Sequence, residues 1–146
     1  MSLLDKIVRR RPADLLLAAE AWLLLAWFRA SLAFVPVRKI IGSVTRRSTG
    51  ERAARSAGAD VVEIARRVQW AVSAATRHSA MEFVCFPQAL AGYTMLRRRG
   101  VGGTIVYGVS RSAAGELMAH TWLTVGDRTV LGGEAAPEFT AVERWT

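Results

Sequence analysis

Only one cysteine, Cys85, occurs in the 146 residues, so no disulfide forms within the chain and no cysteine cluster can hold a metal. A lone thiol points to a reducing compartment, and a cytoplasmic location is expected. Histidine is almost as scarce, with His78 and His120 alone. Zinc-finger spacing, basic–aromatic interleaving and any nucleic-acid-binding module are missing, which argues against nucleic acid as a partner. There is no internal repeat and no low-complexity tract. No signal peptide is expected, because the N-terminus is charged and no small-residue cleavage site follows a clean apolar stretch. An uninterrupted membrane span is lacking too. The best candidate, Leu15 to Val37, is broken by Glu20 and Arg29 with Asp14 at its mouth. A charge near the middle of a bilayer helix costs about 2.5–3.5 kcal/mol. The segment therefore reads as a buried or partner-covered helix.

What is present is apolar and basic. Hydrophobic residues make up 51% of the chain, enough for a core and high for a soluble protein, so a partner is expected to cover some apolar surface. The formal charge is +8, from 20 Lys plus Arg against 12 Asp plus Glu, and nearly all the cations are arginine. Arginine suits bidentate contact with carboxylates or phosphates, so an acidic peptide or a membrane surface fits this balance.

The pattern along the chain divides near residue 78. The stretch 1–78 reads as helical. Pro12 suits a first helical turn, and the Leu/Trp-rich run behind it should stop at Val35-Pro36-Val37, since the residue before proline avoids the α region. Apolar residues go nearly all the way round this helix, which suggests docking to a partner or a membrane. A short basic helix is expected over Arg38 to Arg47, a break at Ser48-Thr49-Gly50, and a further helix from Ala59 to Arg77. The stretch 79–146 changes character. A helix from Phe86 to Arg99 ends at Gly100, with Arg97, Arg98 and Arg99 in the turn where cations favour the dipole. Strands follow at Thr104 to Val109, Ala119 to Val125 and Thr129 to Leu131, the last two joined at Gly126-Asp127. Helices first and an antiparallel sheet second give an α+β fold in one compact unit.

Two residues carry candidate chemistry. Cys85 lies where an irregular stretch, Ser79 to Val84, meets a helix with Pro87 in its first turn. A thiol there feels the positive end of the dipole, and the exposed N–H groups can hold an oxyanion. His120 opens the strand His-Thr-Trp-Leu-Thr-Val and can serve as the base that a cysteine nucleophile needs. His78 sits in a polar helix-end context and reads as exposed or capping. A third group should orient the imidazole. With Gly126, Asp127 and Arg128 as the loop, Val125 faces Thr129, and Glu134 falls opposite His120 on the same face. A two-residue loop would shift the pairing by one. Asp127 lies roughly 20 Å along the strand and reads as a turn former. Glu134 is the choice from the residues, with Glu138 in reserve.

The runs Cys85-Phe86-Pro87-Gln88-Ala89-Leu90, Leu96-Arg97-Arg98-Arg99-Gly100-Val101, Tyr107-Gly108-Val109 and Ala119-His120-Thr121-Trp122-Leu123 resemble a known family. So does the step Pro36-Val37-Arg38 after a Leu/Trp-rich helix. The chain is similar to the leader peptidases of lasso-peptide biosynthesis, the microcin-processing transglutaminase-like proteins. The resemblance implies a papain-like thiol protease core that cleaves the leader from a ribosomally made precursor without a cofactor. It also implies work beside a leader-binding partner protein, a lasso cyclase and often an exporter. Cys85 and His120 match the family's nucleophile and base, whereas the position of its acid is Gly132 here. Glu134 could serve from the next same-face position, or a dyad could use a backbone or water partner. Two other functions remain compatible with the residues: a non-catalytic scaffold or adaptor, and an acyltransferase on the same fold.

Overall fold

The computed structural model describes residues 11–46, 58–77 and 85–146. Among the described residues four helices come first: α1 (Pro12–Phe34), α2 (Val37–Arg46), α3 (Ala59–Arg77) and α4 (Cys85–Arg98). Four strands follow: β1 (Thr104–Arg111), β2 (Leu117–Val125), β3 (Arg128–Leu131) and β4 (Thr140–Trp145), with a 3-10 turn at Ala136–Glu138 before β4. The α+β expectation holds. The strands form one antiparallel sheet in the order β3-β2-β1-β4.

Local chemistry sets the element ends. Pro12 stands in the first turn of α1. Val35, held extended before Pro36, ends that helix. At the other end of the helical layer, Gly100 adopts φ +72°, and the N–H groups of Val101 and Gly100 bond back to Leu96 and Arg97 carbonyls at 3.0 Å each. Buried Val101 and Leu96 complete this Schellman closure of α4. The expected helix boundaries are met to within one residue for α2 and α4, and α3 falls on its expected span.

One core joins the helical and sheet-bearing parts. Leu17, Leu25 and Phe28 of α1 and Val61, Val68 and Val72 of α3 pack with Leu90 and Leu96 of α4 and with Ile105, Leu123 and Leu131 of the sheet. A Cβ on Gly92 would stand 2.6 Å from Leu131 Cδ1 and 2.8 Å from Leu123 Cδ2. The missing side chain is what lets α4 lie close on β2 and β3.

The sequence reading left out β4 and the turn before it. The strand is short and half polar, and what fixes it is pairing with β1, 31 to 40 residues away along the chain, as Ile105↔Trp145 through Val109↔Thr140. The β2–β3 register combines both options weighed from the sequence. At the turn Val125 pairs Arg128 across a two-residue loop, but an irregularity leaves Val130 unpaired, and Leu123 then pairs Leu131. Beyond that bulge the strands run in the register expected of the longer loop.

Candidate active site

Cys85 is the first residue of α4, half-buried and not in a disulfide. Its backbone N–H and those of the next residues belong to the first turn, whose donors have no partner inside the helix and point at whatever binds there. Pro87 is buried in that turn and Gln88 is half-buried. The stretch Ser79 to Val84 and His78 lie outside the described residues.

His120 belongs to β2, paired with Gly108 of β1. Leu123 meets α4 at Gly92. By alternation along the strand, His120 and Trp122 occupy the opposite face of the sheet. There the imidazole stacks on Trp122 with ring centroids 5.9 Å apart and meets Phe139 at 5.2 Å. Its Nε2 lies 2.9 Å from the Gly132 carbonyl oxygen. The Trp122 ring in turn occupies room left by Gly108, where a Cβ would come within 2.7 Å of it. Two rings and one carbonyl thus fix the histidine.

Gly132 is shaped for this. Its φ is +75°, and a Cβ there would stand 3.0 Å from Thr121 O and from Trp122 Cβ, and 3.2 Å from His120 Nε2. At the position where the resembled family places an acid, the backbone itself meets the imidazole. Glu134 is exposed and makes no hydrogen bond with His120. Glu138 lies in the 3-10 turn and Asp127 in the β2–β3 turn, both exposed.

No hydrogen bond joins the Cys85 thiol to the His120 imidazole, whose partner is the Gly132 carbonyl. Their elements do meet, α4 packing on β2, but on the sheet face away from the imidazole. No three His, Cys, Asp or Glu side chains converge among the described residues.

The arginine run at the far end of α4 is engaged within the fold. Arg99 Nη2 bonds Glu20 Oε2 of α1 at 2.6 Å and Arg98 Nη1 bonds Glu20 Oε1 at 3.1 Å. Arg97 donates to the Val44 carbonyl of α2 at 2.7 Å. Burial of Glu20 opposes its charge, but the hydrogen bonds and charges of Arg99 and then Arg98 outweigh it, leaving the carboxyl below its ordinary value. The charge that interrupts the apolar helix thus serves as a cross-helix tie. A groove of about 1030 Å³ opens beside these residues, lined by Trp27, Phe28, Ile40 and Val44 among others. It lies at the opposite end of α4 from Cys85 and is no part of the thiol's surroundings.

Sequence reasoning missed Trp122, Phe139, Gly108 and the Gly132 carbonyl as the support of His120. The spacing His120-x-Trp122 was a usable signal, since residues two apart share a strand face. Phe139 lies before the unforeseen β4 and gave none.

A sequence-family model described as the Transglutaminase-like superfamily matches residues 17–144. No curated protein and no solved structure matches the chain in the corresponding comparisons.

Proposed function

Since the chain belongs to the transglutaminase-like superfamily, which includes cysteine peptidases and acyltransferases, we propose that it is a cysteine peptidase removing the leader from a ribosomally made lasso-peptide precursor. Cys85 is the nucleophile and His120 the base. The observation that carries this reading is the family match, which spans both the half-buried thiol heading α4 and the histidine of β2, the imidazole itself standing on the sheet face away from α4. The lasso-peptide assignment rests on the motif resemblance around these two residues.

In this mechanism the Cys85 thiolate attacks the carbonyl carbon at the leader–core junction, forming a C–S bond. N–H groups at the head of α4 stabilise the oxyanion. The protonated imidazole of His120 gives its proton to the leaving amine as the C–N bond breaks. Water then attacks the thioester and passes a proton to the imidazole, and the C–S bond breaks as the acid is released. In the structure the imidazole stands on the sheet face away from α4, so the mechanism requires a rearrangement that brings His120 to the thiol. Gly132 O holds the ring through Nε2, the part an acid plays in a triad. The reaction needs no cofactor. It takes place in the cytoplasm, beside a leader-binding partner protein and within reach of the lasso cyclase and exporter.

The test is incubation of the purified protein with its precursor and the leader-binding protein, read by mass spectrometry. The expected products are free leader and core whose masses sum to the precursor plus one water. Cys85→Ala should keep the fold, seen by circular dichroism, and lose cleavage. Cleavage by that variant would end the proposal, and a product carrying an amine in place of water would reassign the chain to acyl transfer.

A further inference from the structure

The helix α1 buries one side and leaves the other apolar. Leu17, Ala21, Leu25 and Phe28 face the core. Leu16, Leu23, Trp27 and Phe34 stand 72%, 63%, 68% and 89% exposed. At 3.6 residues per turn these four positions fall on one line along the helix, within about 40° of arc and over roughly 27 Å. Trp22 and Leu15, also exposed, widen the stripe on one side. Isolated exposed apolar side chains need no partner, but a contiguous aromatic and aliphatic stripe marks an interaction face.

The charge around it selects the occupant. The only carboxylates between residues 11 and 46 are Asp14 and Glu20. Each is tied to arginine outside α1, Asp14 to Arg67 at 3.3 Å and Glu20 to Arg99 and Arg98. The stripe's rim is basic. Exposed Arg38 and Lys39 follow Phe34, Val35 and Val37 at the α1–α2 corner. Arg98 lines a shallow hollow with Leu16, Leu23 and Trp27. A second copy of this chain would bring a like-charged rim against this one, and the whole chain carries +8.

We infer that α1 is an interfacial anchor, which lays the Leu16–Leu23–Trp27–Phe34 stripe on an anionic lipid bilayer with Arg38, Lys39 and Arg98 at the headgroups. Its length and apolarity would also suit a membrane-crossing helix. Its inner side, however, is packed with α3 and α4, so it lies on the surface rather than spanning. Trp and cations at the interface and added attraction to anionic lipid are the physics of such an anchor.

The experiment is co-sedimentation of the full chain with vesicles of phosphatidylcholine alone or with three-tenths phosphatidylglycerol, at low and high salt. Binding to the anionic vesicles should exceed binding to neutral ones at least tenfold and fall as salt rises. Leu23→Asp with Trp27→Asp should reduce it tenfold or more with an unchanged circular dichroism spectrum. If that variant does not fold, Arg38→Glu with Lys39→Glu, which leaves the stripe intact, should weaken anionic binding to the neutral level. Equal binding to both vesicles, no binding, or undiminished binding by the charge-reversed variant overturns the anchor. So does a dimer by sedimentation velocity that Trp27→Asp dissolves, which would give the stripe to a second copy.

Discussion

The carbonyl oxygen of Gly132 lies 2.9 Å from Nε2 of His120, at the end of the strand beside it. A carbonyl only accepts, so the bond requires a proton on Nε2 and leaves Nδ1 as the basic nitrogen of the neutral ring. Trp122 and Phe139 restrict the imidazole's rotation around that bond.

The tautomer is directly measurable. In ¹⁵N-labelled protein with the ring neutral, His120 should show a protonated Nε2 and an unprotonated Nδ1. The reverse pattern would mean that Gly132 does not hold the ring in solution.

Glu134 is expected to contribute little to orientation. Glu134→Gln should change kcat/KM for precursor cleavage by less than about threefold, because the imidazole already has its partner. A loss beyond about a hundredfold would give the orienting part to the carboxylate.

Gly132 tolerates no side chain without strain. Gly132→Ala places a Cβ 3.0 Å from Thr121 O and 3.2 Å from His120 Nε2 on a backbone with φ +75°. The left-handed conformation alone costs about 1–2 kcal/mol for a residue with a Cβ. Thermal unfolding should record that loss, and cleavage should fall at least tenfold as the imidazole is displaced. Unchanged values for both would contradict the close approach.

The tie between α1 and α4 carries a pH signature. Glu20 titrates below its ordinary 4.5 in the folded chain. Its contribution is thus present above that value and is lost as pH falls through the lowered one. Glu20→Gln should destabilise the protein by about 1 kcal/mol at neutral pH, mostly through Arg99, since Arg98 is largely exposed. In denaturant titrations the gap between wild type and variant should persist down to about pH 4.5 and close below it. A gap that is independent of pH would place the effect elsewhere.

The helical half was readable because its signals are local. Pro12, the Val35-Pro36 step and Gly100 each act on their own backbone, and the apolar spacing of α3 is visible within its 19 residues. Cys85 at a helix start and His120 on a strand were legible for the same reason. What could not be read depends on distant pairing or on backbone atoms. The strand β4 exists by its ladder to β1. The imidazole's partner is a carbonyl, which every residue has, so no residue type announced it. The Arg97–Arg99 run reads locally as cations at the dipole-favoured end of a helix, and only tertiary packing assigns it to Glu20 and Val44.

The irregularity at Val130 has a consequence for how this hairpin can vary. A tight turn and an extra residue in the strand offset each other, so the segment that meets the imidazole keeps its station whichever way the connection is built. Adding a residue between Gly126 and Asp127 while removing Val130 would lengthen the loop and straighten the strand without moving Gly132 along β2. Loop length is therefore decoupled from the histidine's support, and the outer tip can change shape while the inner contact stays fixed.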